Sequence, residues 1–553
     1  MSGWEDCTIE NRVLRQYRGP GGAVTVPFGV TVIGERAFAG RDDVTRVTLP
    51  DGVREIKSSA FEKCAGLSEI ILPFTLCVIG FMAFSDCRAL TRIEVASNNP
   101  YYYSVDGVLF DRRRTLIWFP HARGGEYAVP EGTVRIGRNA FFRCPHITAV
   151  RLPDSLLGIE VSAFEQCAAL ESVRFPSRLA EIRPWAFESC KKLKEISLPD
   201  SLLHVGHGAF CACASLTSAA LPPRLRTIEE RTFSDCAALE RVRLPMDLAQ
   251  IGDSAFEKCS SLTALRLPPS VRRIGIRAFR GCAGLQSVSL PSRRIMIDER
   301  AFYGCAALTK VLRSGDPADA DGEANDVLES TVGKHAFAGC AALTDIALPD
   351  DTVKIGVSAF ACCVSLAQIA LPDSLKRING GAFHGCAALR EIALPEGLER
   401  IGREAFRDCA ALRKISVPGS VTRIIEGAFA RCGALEEADL HRGIQVLGAE
   451  AFLDCENLAR VKMREGVQTI GARAFRGCCV LPRMDLRDGL TILGARAFAD
   501  CAALAFVKLP DSLQRIGINA FENCPALPSV RLPGGAAVSP AQVSAGWERQ
   551  KNH

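Results

Sequence analysis

Tryptophan, tyrosine, methionine and histidine are scarce in this chain of 553 residues, at four, six, six and eight copies. The eight His fall at unrelated positions, and none forms a nucleophile–base spacing with Ser or Cys. No Gly-x-Ser-x-Gly elbow and no phosphate-cradling glycine loop occurs. These absences argue against an enzyme, and no cofactor is expected. No apolar run reaches the 18 residues of a candidate membrane-spanning helix. The opening residues, Met1 to Thr8, hold neither the basic nor the apolar stretch of a secretory leader. That favours a cytoplasmic location, with export by a non-standard route as the alternative. Neither sign of charge dominates: 67 basic residues face 62 acidic ones, a net of +5. Spread over this length, such a balance does not imply a nucleic-acid partner.

Phenylalanine and cysteine, by contrast, are abundant, at 28 and 24 copies. Twenty of the Phe recur at a fixed step, mostly within Ala-Phe-x-x-Cys, from Phe38 to Phe521. Every step is 23 residues except two, of 57 between Phe84 and Phe141 and of 35 between Phe302 and Phe337. A period of this size marks a solenoid, built of units that cannot bury their apolar edges alone. Length alone would suggest several domains; the repeat replaces that prior with one elongated domain.

The unit from Cys386 to Phe406 predicts the fold of each coil. Ile392 and Leu394 alternate at period two, as a strand buried on one side requires. Pro395 ends the strand, because proline has no N–H for a ladder. Leu398 and Ile401 bring a second apolar edge inward, and Gly402 suits a turn with positive φ. Ala405 and Phe406 close the coil, with Phe406 filling the core. Stacking turns these positions into rows of Leu, of Ile or Val, and of Phe.

The recurring Cys-x-x-Leu-x-x-Ile-x-Leu-Pro…Ile-Gly-x-x-Ala-Phe resembles the 23-residue BspA-like (Treponema-type) leucine-rich repeat over residues 7–533. The segment from Cys7 to Gly22 is similar to that family's N-terminal cap, and Arg41 stands where the first unit would carry Cys. The resemblance implies a right-handed, curved solenoid of about twenty units. A parallel sheet would line its concave face, and short strands, turns and one-turn helices around Ala-Phe would form the convex side. It also implies a non-catalytic protein–protein interaction scaffold using the concave face. Some members of such a family are surface adhesins for host or matrix proteins, which is the alternative role. The fold by itself names no ligand or oligomeric state.

Residues 1–22 are expected to form a capping hairpin, 23–533 the solenoid and 534–553 a disordered tail. Two insertions interrupt the solenoid. Residues 97–130 hold four of the six Tyr and Trp118, with β-rich runs on either side of Asp111–Arg114 that predict a hairpin. Similar hairpins interrupt repeats in the resembled family. Residues 315–326 carry Asp316, Asp319, Asp321, Glu323 and Asp326 and no apolar face, so an acidic loop is expected. Arg313, just before it, occupies a position where a core Leu is expected.

All cysteines but Cys7, Cys77, Cys211, Cys362 and Cys479 share one repeat position. They predict a ladder of buried free thiols about 4.8 Å apart, consistent with a reducing compartment. His204, His207, Cys211 and Cys213 lie close enough to suggest zinc, but Cys213 belongs to the ladder, so no metal is expected. Asp319-x-Asp321-Gly322 lacks the bidentate Glu of a calcium loop. Partner-binding candidates are side chains flanking the strand's central Ile or Val, which point outward. These are Arg151, Arg174, Arg241, Arg243 and Arg266, either a plain solvated face or a patch for an acidic protein. Ala347, Ala370, Ala393 and Ser416 then form a lane of small residues. Phe506 is the one aromatic on these columns, and Tyr102 with Trp118 in the first insertion is a rival contact site.

Overall fold

The computed structural model describes residues 4–5, 7–291, 294–313 and 329–548. The chain divides into two compact units, residues 1–247 and 248–553, each a mostly-β parallel solenoid. The first opens on an antiparallel hairpin, Thr8–Glu10 against Val13–Gln16. From there a ladder of short strands runs in parallel through Val32–Ile33 and Glu55–Ile56 to Val78–Ile79. Longer strands, Gly22–Thr25, Val44–Thr48, Glu69–Leu72 and Arg92–Val95, pair into a separate parallel sheet. In the second unit the short-strand ladder extends from Gln250–Ile251 to Arg515–Ile516. Its long strands break into smaller sheets. Between Asp345–Ile346 and Lys414–Val417 only the bridge Ala347↔Ala370 is formed.

Each Ala-Phe corner is a stack of turns. In the coil of Phe61, the N–H groups of Ala60, Glu62 and Cys64 close turns onto the carbonyls of Lys57, Ser59 and Phe61, at 3.3, 3.0 and 3.2 Å. The intervening N–H groups of Ser59, Phe61 and Lys63 donate instead to Phe81, Ala83 and Ser85 of the next coil, at 3.0, 2.8 and 2.8 Å. Aiming alternate amides along the axis puts Ser59 and Lys63 in the left-handed region, with φ of 55° and 58°. The same pair of positions is left-handed in later coils, as at Ser254 and Lys258 or Glu404 and Asp408. Gly402 is not left-handed, contrary to its expected positive φ; glycine is needed there because a Cβ would clash with Gly380 N of the preceding coil. Left-handed residues every fourth position prevent helix propagation. The one-turn helices expected here are therefore absent: among the described residues no α-helix occurs, and Pro540–Val543 is a 3-10 turn.

The Phe rings form the spine of the core. From Phe256 to Phe521 successive centroids lie 5.0 to 5.8 Å apart with planes within 13°. Each fully buried ring contributes roughly 1.5–3 kcal/mol through burial. Beside the spine runs the thiol ladder. Cys409 Sγ donates to the carbonyl of Phe383 in the preceding coil at 3.2 Å, and Cys386, Cys432 and Cys501 do the same to Phe360, Phe406 and Phe475. All 24 cysteines are free thiols.

The two insertions behave differently. In the first, Tyr102–Val105, Val108–Asp111 and Thr115–Trp118 make an antiparallel meander, three strands rather than a simple hairpin. Its last strand then joins the solenoid in parallel with Arg135–Ile136. Phe119 stacks on Phe141 at 4.7 Å and donates its N–H to Ala140 at 2.8 Å, as a spine Phe does. The insertion thus supplies its own coil. The second insertion, residues 315–326, lies outside the described residues. Around it Phe302 still stacks on Phe337 at 5.0 Å, and Arg313 is exposed and ion-paired with Asp350.

The C-terminal segment, expected to be disordered, is ordered as far as Glu548. Ala537–Val538 pairs antiparallel with Val530–Arg531, and Trp547–Glu548 with Arg515–Ile516. Ser539 and Gln542 form a reciprocal capping box between them, and Val543 is buried. A terminal coil has no following neighbour, and this segment covers it.

Candidate functional site

The outward side chains of the long strands are placed by register. Arg151 and Arg174 are direct partners in adjacent parallel strands, Ile147–Arg151 and Ser172–Arg174. Arg151 is also ion-paired with Glu126 at 2.5 Å, on the strand before. Arg241 and Arg243 flank Val242 and stand opposite Ser218 and Ala220. Arg266 lies in the second unit, opposite Ser289. Arg174, Arg241, Arg243 and Arg266 are exposed and have no ion-pair partner among the described residues. In the second unit the small-residue lane is present at Ala347, Ala370, Ala393 and Ser416, of which the last three are exposed.

Phe506 is 50% exposed, with the Arg483 guanidinium 5.6 Å from its ring centre. Strand Arg483–Asp485 places Arg483 opposite Phe506 in register. Two cavities open nearby within the second unit, of about 510 and 380 Å³.

The aromatic insertion differs from its expected role. Trp118 is buried, edge-on to Phe84 at 6.2 Å and tilted against His121 at 5.6 Å. It is a core residue, because the strand carrying it becomes part of the solenoid. Tyr102 is half-buried, and its hydroxyl donates to the Cys77 carbonyl at 3.4 Å. Tyr101 is the exposed ring of the group. His121 is also buried, and neither its ring nitrogens nor Trp118 Nε1 have a partner among the described residues. Burial holds the His121 imidazole below its ordinary pKa.

Cys213 donates to Phe187 O at 3.2 Å inside the ladder, and His207 packs edge-on to Trp185 at 4.3 Å. No group of three or more His, Cys, Asp or Glu able to hold a metal occurs among the described residues. The Asp319 and Asp321 positions lie outside those residues. Burial pushes the ladder thiols Cys167, Cys282 and Cys340 up to about 12. A buried thiolate lacks water to solvate it, so these sulfurs are poor nucleophiles. Cys362 and Cys479 are the exposed thiols.

No helix among the described residues is long and apolar enough to cross a membrane. The family model for the BspA type leucine rich repeat region matches residues 21–105, 134–263, 249–315, 328–436 and 422–539. Among solved structures, a leucine-rich repeat protein from Bacteroides ovatus is 28% identical, over 75% of this chain and 92% of its own, with a TM-score of 0.49. A leucine-rich repeat protein from T. pallidum is 24% identical over 46% of this chain and 87% of its own, with a TM-score of 0.22. A leucine rich cell surface protein from Faecalibacterium prausnitzii is 22% identical over 78% of this chain and 94% of its own, with a TM-score of 0.28. No curated protein matches the chain.

Proposed function

Because this chain belongs to the BspA-type leucine-rich repeat family, we propose that it is a non-catalytic protein-binding scaffold whose long-strand sheets carry the contact surface. One observation carries the reading. Within the second unit, the inward column of the long strands reads Val288, Val311, Ile346, Ile369, Ile392 and Ile415, while the outward column beside it reads Ser289, Leu312, Ala347, Ala370, Ala393 and Ser416, then Asp439 and Lys462. Packing holds the first column to one chemistry. The second is free to match a partner, as in other repeat scaffolds. The same reading takes the coil as right-handed with this sheet on its concave side. Arg151, Arg174, Arg241, Arg243, Arg266 and Phe506 are then contact candidates. Free cysteines favour a reducing compartment over surface adhesion.

The test is affinity capture with the full chain as bait, read by mass spectrometry, beside cell fractionation with a thiol count. The reading expects stoichiometric protein partners and reduced thiols. Capture of no partner defeats it, and surface location with oxidised cysteines shifts it to the adhesin.

A further inference from the structure

We propose that the coils of residues 441–508 bind an extended acidic segment of a partner protein; this rests on the binding role just proposed. In the second unit the position that closes the long-strand segment of the repeat holds Pro268, Pro291, Pro349, Pro372, Pro395 and Pro418, with Ser314 breaking the run, and again Pro510 and Pro533. In the three coils between, that position holds His441, Arg464 and Arg487.

The exchange has a backbone consequence. Proline has no N–H to give a ladder. His441 donates its N–H to Val417 O at 3.1 Å and Arg464 to Leu440 O at 3.2 Å. Strands Lys414–Val417, Glu437–Leu440 and Arg460–Met463 accordingly pair over four residues in unbroken register. The exchange also sets His441 and Arg464 about one strand spacing, 4.8 Å, apart at the ends of paired strands, with Arg487 on the following coil across a break between the sheets. Mutual repulsion makes that arrangement unfavourable unless an anion faces it.

The surface there is grooved. One cavity, of about 510 Å³, is lined by His441, Arg442, Met463, Arg464, Glu465 and Arg487. The other, of about 380 Å³, takes in Arg487 and Glu465 again and adds Phe506 and Lys508. Existing anions leave the cations under-neutralised. Arg464 reaches only Asp439, at 3.9 Å. Arg442 meets Glu465 at 3.5 Å, but both side chains are at least 73% exposed, so the pair is weak. Asp485 is taken by Arg483 at 2.8 Å. Arg487 and Lys508 have no ion-pair partner among the described residues. An exposed Phe beside guanidinium groups supplies the aromatic and Arg chemistry of an interface anchor.

The charge pattern selects a peptide over a nucleic acid. Glu465, Asp485 and Asp488 line the second cavity and would repel evenly spaced phosphates. An acidic peptide can set carboxylates opposite Arg464, Arg487 and Lys508 and an apolar side chain on Phe506.

The probe is a fluorescein-labelled peptide of Glu and Asp with one central Leu, titrated into the full chain by fluorescence anisotropy. Wild type should bind it, more weakly as salt rises through the range where the Debye length shrinks. Arg464→Gln with Arg487→Gln should weaken binding by about ten-fold. Arg487→Pro, which restores the residue used at Pro418 and Pro510, should also weaken it while keeping the wild-type melting temperature. Arg400→Gln with Arg423→Gln, on the short-strand ladder, should leave it unchanged. Equal binding by wild type and the Arg464/Arg487 variant overturns the proposal. So does a single-stranded oligonucleotide of equal charge that binds as well as the peptide. If the variant captures the same cellular partners as wild type and neither binds the peptide, this site falls and the scaffold role stands. If neither captures any partner, the scaffold role itself falls.

Discussion

Cys362 and Gly304 occupy the same left-handed turn position, two residues after a spine Phe, with φ of 59° and 70°. Both amides donate to the next coil, to His384 O at 2.8 Å and Ala338 O at 2.9 Å. The conformation is therefore imposed by the stack rather than chosen by the residue. A Cβ built on Gly304 meets nothing within 4 Å, so a substitution there tests backbone conformation alone. Gly304→Val should lower stability by about 1–2 kcal/mol, and Cys362→Gly should raise it by up to about 1 kcal/mol. Chemical denaturation of the two variants checks both signs; a neutral Gly304→Val would mean the turn relaxes freely. At the spine, Phe406 is fully buried between Phe383 and Phe429 at 5.2 and 5.3 Å. Phe406→Ala removes both ring contacts and should cost about 3–5 kcal/mol. Hydrogen exchange should place the loss in the flanking coils, because stability in a stacked repeat is carried by nearest neighbours.

The first insertion hangs on one side chain. Asn99 is 1% exposed; its Nδ2 donates to Pro73 O and Leu76 O, both at 2.9 Å, and its Oδ1 accepts from the N–H groups of Tyr101 and Tyr102, both at 2.8 Å. Arg112 adds bonds to the Asn99 carbonyl at 3.1 and 2.8 Å. Asn99→Ala leaves the Leu76 carbonyl and the Tyr101 and Tyr102 amides without the bonds Asn99 makes, while Pro73 O keeps the Leu76 N–H at 3.3 Å, a loss of about 1–3 kcal/mol. Amide exchange should rise across residues 99–112 while coils beyond Phe141 keep their protection. Uniform loss across the first unit would instead make the meander part of one cooperative block. The meander was legible in sequence as β-rich runs around a turn, but Phe119 was not. It sits 22 residues before Phe141 in Trp-Phe-Pro-His rather than Ala-Phe-x-x-Cys, so the spacing rule passes over it. Trp118 looked like a contact residue because composition cannot distinguish an exposed indole from one that replaces a spine ring.

Across the molecule the thiol ladder couples folding to alkaline pH. An unfolded Cys ionises near pH 8.5, whereas Cys167, Cys282 and Cys340 are held near 12 and Cys211 and Cys524 near 11. Between those values the native state binds more protons than the unfolded state. By linkage, stability falls as pH rises through about 8.5 and continues to fall until the buried thiols ionise. Stability should be insensitive to these thiols below about pH 8. Denaturation midpoints from pH 7 to 10 check this, with a Cys167→Ala, Cys282→Ala, Cys340→Ala variant expected to show a shallower alkaline decline. An equal slope would assign the decline to other groups. In native protein, a thiol reagent should modify Cys362 and Cys479 first and the ladder cysteines only after unfolding.

Repetition let the sequence determine the coil by itself. A residue type that returns every 23 positions must face the same environment each time, so Phe406, Cys409 and Ile392 declare their burial without any tertiary knowledge. The ends and irregular coils have no such repetition. Tertiary structure alone decided that residues 537–548 turn back onto the last coils, that Trp118 packs inward against Phe84, and that Phe119 stacks on Phe141. It also decided the Ala-Phe corner: alternate amides must reach the next coil, a demand made by the neighbour and absent from any single unit. Proline loss at His441, Arg464 and Arg487 was visible as letters. Its meaning, a longer ladder at His441 and Arg464 whose basic side chains share a groove with Arg487, required the register of the stacked strands.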